Sequence, residues 1–184
     1  MRVVSGSARG IPLKAVPGDS TRPILDRVKT ALFDTLRPYL SDWRVLDLFA
    51  GSGSVGIEAL SQGAKHCVFL DLNAKAVATI KDNLEKTHLT AQAEVRHTDA
   101  FGYLRHTTTK VFDLIYVAPP QYEALWVQAM HLLGERPELV SPDGMVVVQI
   151  DPKEYEPLAL NDFEETEQRK YGSTLLVFYR RTAK

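Results

Sequence analysis

Apolar residues along this 184-residue chain fall into two alternating rhythms. Short, largely apolar stretches at residues 45–50, 67–70, 111–117 and 145–150, with a more polar one at 93–97, are brief and rich in branched or aromatic residues and predict strands. Between them the apolar positions space out. Val55, Ile57, Ala59 and Leu60 form one set; Ala74, Val77, Ile80 and Leu84, with Asn73 as cap, form a second; a stretch from Tyr122 to Leu133 carries Leu125, Ala129, Leu132 and Leu133 on one side. These predict helices. Strand and helix in turn require a parallel sheet with right-handed crossovers, so the fold class is α/β, doubly wound. Residues 163–169 and 174–179 flank Tyr171-Gly172-Ser173 and predict a closing antiparallel hairpin, which makes a mostly parallel sheet of seven strands.

The front of the chain stands apart from this alternation. Arg2-Val3-Val4 and Ile11-Pro12-Leu13-Lys14 bracket a segment with glycine at both ends, which predicts a hairpin with its proline strand at an edge. Leu25, Val28, Leu32 and Leu36 then recur at helical spacing, with cap residues and an early proline in Ser20-Thr21-Arg22-Pro23, and the helix is expected to end before Pro38. Arg27 and Lys29 fall off its apolar stripe.

The chemistry concentrates in Val45-Leu46-Asp47-Leu48-Phe49-Ala50-Gly51-Ser52-Gly53-Ser54-Val55-Gly56, a strand, a glycine-rich turn and a helix start. Gly51 and Gly53 open backbone angles closed to other residues and let main-chain N–H groups approach a ligand, while Gly56 allows close packing of helix on strand. The G-x-G-x-x-G spacing serves both dinucleotide enzymes and enzymes that bind S-adenosylmethionine. Asp71, 20 residues after Gly51 at the end of the second strand, suits ribose hydroxyls in either cofactor. Asp47 separates them in part, because a carboxylate beside the loop repels a pyrophosphate and attracts an amino-acid ammonium, directly or through water. Asp99, after the third strand, is placed to accept from an adenine amino group. After the fourth strand, Ala118-Pro119-Pro120-Gln121-Tyr122 leaves the sheet, and two successive prolines hold that exit stiff with carbonyls exposed.

Composition narrows the classes. At 45% hydrophobic and 24% charged, the chain suits one domain across residues 1–184, an extension over 1–40 attached to a core over 41–184. No apolar stretch approaches the roughly 20 residues of a membrane span and the first residues do not resemble a signal peptide, so a cytoplasmic protein without membrane contact is expected. Cys67 is the single cysteine, which excludes an internal disulfide and a cysteine-based zinc cluster; in an apolar strand it reads as a buried structural thiol. His88, His97 and His106 lack ligand spacing, so no metal is expected. Net charge is −1, but residues 1–44 carry eight Lys and Arg against four Asp and Glu, whereas residues 45–184 carry 14 against 19. A basic front on an acidic body points to a polyanion, with Arg2, Arg9, Lys14, Arg22, Arg27 and Lys29 as the candidate phosphate-binding residues.

Taken together, the chain resembles the Rossmann-like S-adenosylmethionine-dependent methyltransferases, and specifically the bacterial 16S ribosomal RNA guanine-N2 methyltransferases of the RsmD type. The resemblance runs nearly end to end: Arg2-Val3-Val4-Ser5-Gly6 with Arg9-Gly10, Thr21-Arg22-Pro23 with Asp26-Arg27-Val28-Lys29 and Phe33, the Leu46–Gly53 loop, and Arg169-Lys170-Tyr171-Gly172. It implies that Asp47, Phe49, Ala50, Gly51, Ser52 and Gly53 hold the methionine end of S-adenosyl-L-methionine, Asp71 and Leu72 the ribose side, and Asp99 and Ala100 the adenine. It also implies 16S ribosomal RNA or the small ribosomal subunit as partner, and a monomer is expected.

The family's acceptor motif, Asp/Asn-Pro-Pro-Tyr/Phe, is altered here: Ala118 stands at the acidic or amide position, Gln121 at the aromatic one, and Tyr122 comes one residue late. The exocyclic amine of guanine is a poor nucleophile, and a site that accepts both its N–H hydrogens directs the lone pair at the methyl group. With Ala118 only a main-chain carbonyl remains, and the Gln121 amide oxygen or a water is expected to take the missing role while Tyr122 stacks on the base. The catalytic set read from the sequence is thus Ala118, Pro119, Pro120, Gln121 and Tyr122. Three other readings stay open: a protein that binds RNA and cofactor without catalysis, a methyltransferase for another amine, adenine N6 or a protein amide, and a nicotinamide oxidoreductase.

Overall fold

In the computed structural model, which describes residues 1–18, 23–108 and 111–182, the apolar runs become strands of a single sheet. In chain order the elements are α1 (Asp26–Leu36), β1 (Arg44–Asp47), α2 (Ser54–Ser61), β2 (His66–Asp71), α3 (Ala74–Thr87), β3 (Ala93–His97), α4 (Ala100–His106), β4 (Phe112–Val117), α5 (Leu125–Glu135), β5 (Val140–Ile150), β6 (Phe163–Tyr171) and β7 (Thr174–Arg181). The sheet order is β3-β2-β1-β4-β5-β7-β6, with β3 to β5 parallel and β7 and β6 antiparallel. The alternation read from the sequence holds throughout.

Each face of the sheet is covered. On one face α1, α2 and α3 pack Val28, Leu32, Phe33, Ile57, Leu60, Ile80 and Leu84 against Val45, Cys67, Phe69, Leu114, Tyr116 and Val147, and Val3, Ala8 and Leu13 of the front segment join the same core. On the other, α4 and α5 lay Phe101, Leu104, Trp126, Met130 and Leu133 over Leu46, Val68, Ile115, Val117 and Val148. Cys67 is fully buried, and burial pushes its thiol up, which makes it inert.

Chain direction fixes where a ligand fits. From β1 the chain winds outward through β2 and β3, then returns to place β4 on the other side of β1. The carboxyl ends of β1 and β4 therefore border the crevice where such sheets bind ligands.

Four local expectations are corrected. The front hairpin keeps its arms joined, Val3 N–H donating to Ile11 O at 3.0 Å and Leu13 N–H to Met1 O at 2.9 Å, but it forms an isolated bridge, Arg2 with Pro12, rather than two strands, as the segment draws its further partners from α2. Helix α1 begins at Asp26 behind Leu25, which is 57% exposed rather than part of the apolar stripe; the expected caps Ser20 and Thr21, and Arg22, lie outside the described residues. Helix α5 begins at Leu125, not Tyr122, since Tyr122 and Ala124 adopt φ 65° and 54°, outside the helical region. Strand β5 begins at Val140, before Pro142-Asp143-Gly144, and accommodates that turn as an irregularity: Phe112 pairs with Val140, but Leu114 pairs with Met145.

Candidate active site

The loop after β1 is built by hydrogen bonds that leave its outer side open. The chain stays tied to both neighbours for a few residues, Leu48 N–H donating to Tyr116 O at 3.1 Å and Ala50 N–H to Leu70 O at 2.9 Å. It then turns, with Gly51 and Gly53 at φ 57° and 83°, and Gly53 N–H closes the turn on Ala50 O at 2.8 Å. A Cβ on Gly51 would meet nothing within 4 Å, so at that residue the requirement is backbone shape and open space. Gly56 answers to packing instead: a Cβ there would lie 2.3 Å from Phe69 Cε1 and 2.8 Å from Cys67 Sγ.

Two carboxylates face this loop in different states. Asp71 accepts from Gly51 N–H and Asn73 N–H, both at 2.9 Å, which fixes it at the rim. Asp47 is 1% exposed, and its Oδ1 has no hydrogen-bond partner among the described residues. Burial and then the Asp71 charge push the Asp47 carboxyl up from 3.8 to about 7, while the backbone amides of Gly56 and Phe49 act in the opposite direction. A buried acceptor without a partner beside a glycine turn requires a donor, and an ammonium meets that requirement where a pyrophosphate does not.

The remaining residues expected around a cofactor follow the rim. Phe49 packs edge-on against Phe101, with ring centroids 5.9 Å apart. Leu72 is 68% exposed, and its carbonyl meets His97 Nε2 at 2.9 Å. Asp99 caps α4 by accepting from Gly102 N–H at 3.0 Å, and Ala100 is buried behind it. Asp71 ends β2, and Asp99 follows two residues after β3 ends, so the three strand ends β1, β2 and β3 present one line of groups. Among the described residues no cluster of three His, Cys, Asp or Glu suited to a metal exists.

Beside this line stands the exit of β4. Asp47 pairs in register with Tyr116, and Ala118, Pro119 and Pro120 follow directly, so the glycine turn and the prolines leave adjacent strands at one edge. Pro119 is buried, and Gln121 and Tyr122 are exposed in the turn beyond it. Tyr122 is pinned by donating its hydroxyl to Asp151 Oδ2 at 2.7 Å and its N–H to Glu154 Oε1 at 2.8 Å. Both partners come from the chain just past β5, and no motif or spacing marks them in advance. Tyr116, buried behind the edge, donates its hydroxyl to Gln149 Oε1.

Of the six basic residues expected on a phosphate-binding surface, the five that are described do not share one. Lys29 is a correction: it is fully buried, 3.1 Å from Glu58 Oε1, and donates to Arg2 O at 2.6 Å and Ser54 Oγ at 2.9 Å. Arg9 follows Ala8, whose N–H donates to Ser61 Oγ at the far end of α2 from the glycine turn. Lys14 pairs with Asp82 at 3.0 Å, and Arg22 lies outside the described residues. Arg2, 3.6 Å from Asp26, and Arg27 remain near the site edge. The β6–β7 turn joins them, because Ile150 pairs with Leu175 and Tyr171 with Thr174, which brings Arg169, Lys170 and Gly172 to the edge where β5 ends. Arg27 Nη2 lies 3.6 Å from where a Cβ on Gly172 would stand.

The profile of the family described as conserved hypothetical protein 95 matches residues 1–180. The ribosomal RNA small subunit methyltransferase D of Haemophilus influenzae is 36% identical over 82% of this chain and 79% of its own length. The structure of yhhF from Escherichia coli superposes with TM-score 0.88 at 26% identity, covering 100% of this chain and 99% of that one. An RNA methyltransferase from Salinibacter ruber, solved in complex with S-adenosyl-L-homocysteine, shares the fold at TM-score 0.68 and 13% identity, covering 89% of this chain and 95% of that one.

Proposed function

The chain belongs to the RsmD-type family, matched as conserved hypothetical protein 95, and on that footing we propose that it is an S-adenosylmethionine-dependent methyltransferase acting on the N2 amine of a guanine in 16S ribosomal RNA. The observation that carries the reading is the shared edge: the glycine turn with the partnerless Asp47 oxygen and the Pro119-Pro120 exit leave neighbouring strands side by side. The fold of an RNA methyltransferase that binds S-adenosyl-L-homocysteine, and the kinship with a ribosomal RNA small subunit methyltransferase of Haemophilus, agree with it.

In this reading Asp47 holds the ammonium of the cofactor's amino-acid end, with Phe49, Ala50, Gly51, Ser52 and Gly53 around it. Asp71 and Leu72 take the ribose side, and Asp99 and Ala100 the adenine. When bound, the cofactor would supply an electrophilic methyl carbon on a sulfonium sulfur able to leave with its electron pair, and the proton given up by the amine would go to water. The chain's own part is to orient the amine. The stiff carbonyls beside Pro119 and Pro120 accept one N–H, the other needs an acceptor that Ala118 does not supply, and Tyr122, held by Asp151 and Glu154, supplies a ring face for the flipped base. A monomeric, cytoplasmic enzyme with a front extension over 1–40 and a catalytic core over 41–184 fits this role; among the described residues no helix is long and apolar enough to cross a membrane.

The test is methyl transfer from radiolabelled S-adenosylmethionine to small ribosomal subunits and to naked 16S RNA, with mass spectrometry of the product nucleoside. N2-methylguanosine is the expected product. Tight binding of S-adenosyl-L-homocysteine without transfer to either RNA would instead support a non-catalytic role, the second reading, which Ala118 favours.

A further inference from the structure

Position 118 lacks the polar side chain that an amine acceptor needs, and the sheet supplies one from the neighbouring strand. Val117 and Val148 are the last register pair of β4 and β5, so the residues that follow them, Ala118 and Gln149, stand side by side. They share a face. Ala118 packs with Tyr116 and Val147 on the α1–α3 side of the sheet, whereas Val117, Val148 and Ile150 point to the other side, and Gln149 Oε1 meets the Tyr116 hydroxyl. That face also carries Asp47, the register partner of Tyr116.

We propose that Gln149 is a catalytic residue that substitutes for the missing side chain at position 118, its carboxamide oxygen accepting one N–H of the substrate amine while a carbonyl beside Pro119 accepts the other. This rests on the methyltransferase reading above. The chemistry of the group fits. Burial and the Asp47 charge push the Tyr116 hydroxyl well up from its ordinary value, so Tyr116 keeps its proton and donates it to the Gln149 amide oxygen. An amide oxygen has two lone pairs, and Tyr116 occupies one. Gln149 is half-buried, which leaves its side chain within reach of the edge, whereas Gln121 lies in the exposed turn beyond the prolines. The carboxamide is no base: it holds the amine so that its lone pair faces the methyl group, and the proton released on transfer goes to water.

The test is an epistasis cycle read by single-turnover methylation of RNA, with melting temperature and calorimetric affinity for S-adenosyl-L-homocysteine measured on every variant. Gln149→Ala should lower the single-turnover rate at saturating RNA about 10-fold, as loss of one neutral hydrogen bond allows, with the RNA concentration for half-maximal rate and the cofactor affinity unchanged. Gln149→Glu, which keeps an acceptor oxygen for both Tyr116 and the amine, should stay within a few-fold of the original rate. In an Ala118→Asn background, where the family's amide is restored, Gln149→Ala should cost little. If Gln149→Ala matches the original protein, or loses as much in the Ala118→Asn background as without it, the proposal is overturned. If Ala118→Asn does not fold, equal losses in Gln149→Ala and Gln149→Glu overturn it. A starting protein that transfers no methyl to any RNA overturns the methyltransferase reading itself, and the role of Gln149 with it.

Discussion

At the scale of one residue, Asp47 ties stability to ligand binding through pH. Its carboxyl titrates near 7 in the folded protein and near 3.8 when the chain is unfolded, so between those values the native state holds a proton that the unfolded state has lost. Stability therefore falls as pH rises from about 4 to about 7 and levels off above, a loss on the order of 4 kcal/mol if the full shift is expressed. An ammonium ligand works against that loss, because it needs the ionised carboxylate. Calorimetric affinity for S-adenosyl-L-homocysteine should rise between pH 5.5 and 7.5, and Asp47→Asn should abolish both that rise and the fall in melting temperature over the same window. An unchanged pH profile in Asp47→Asn would move the titrating group elsewhere.

At the scale of elements, the front segment is fastened to the glycine loop by one buried network. Glu58 of α2 accepts from Val4 N–H at 2.8 Å, Ser5 N–H at 3.0 Å and Gln62 Nε2 at 2.8 Å, and pairs with Lys29 of α1, which also holds Ser54 at the start of α2. A Cβ at Gly6 would fall 1.9 Å from Ser61 O, so the segment lies directly on the end of that helix. Removing one member of a buried ion pair leaves the other charge uncompensated and costs about 3–5 kcal/mol. Lys29→Met should therefore lower stability by that amount in urea denaturation while leaving the salt dependence of RNA binding as it was. A flatter salt dependence at full stability would instead put Lys29 back on the RNA surface.

At the scale of the whole molecule, sheet topology gathers basic residues that lie far apart in the sequence. Arg27 near the start of α1 lies beside Gly172 of the β6–β7 turn, and Arg169 and Lys170 come just before that turn, at the edge that carries the glycine loop and the prolines, although about 140 residues separate them from Arg27 in the chain. Arg169 also pairs with Glu167 at 2.7 Å, so part of its charge is already spoken for. Replacing Arg27, Arg169 and Lys170 together with Ala should weaken RNA binding and reduce its salt slope by roughly one for each phosphate no longer neutralised, with affinity for S-adenosyl-L-homocysteine unaltered. Replacing Arg9 and Lys14 should leave the slope close to its original value. The reverse pattern would place the RNA on the far side of the front segment.

The sequence by itself determined the order and type of most elements and the shape of the glycine loop, since both are local: strand length, helical spacing, the glycines after Asp47 and the two prolines act over a few residues. It also determined that Cys67 lies inside, because an unbroken apolar strand has no other place to be. It misjudged Lys29, because a lysine off the apolar stripe looks solvated until a carboxylate from another helix is known to meet it. Gln149, Asp151 and Glu154 stayed silent for the same reason. Only the pairing of β4 with β5 sets an amide beside Ala118, and only the fold of the chain past Ile150 brings two carboxylates to Tyr122. A side chain's chemistry is written in its type, but its partners depend on strand order and register, which no short stretch of sequence contains.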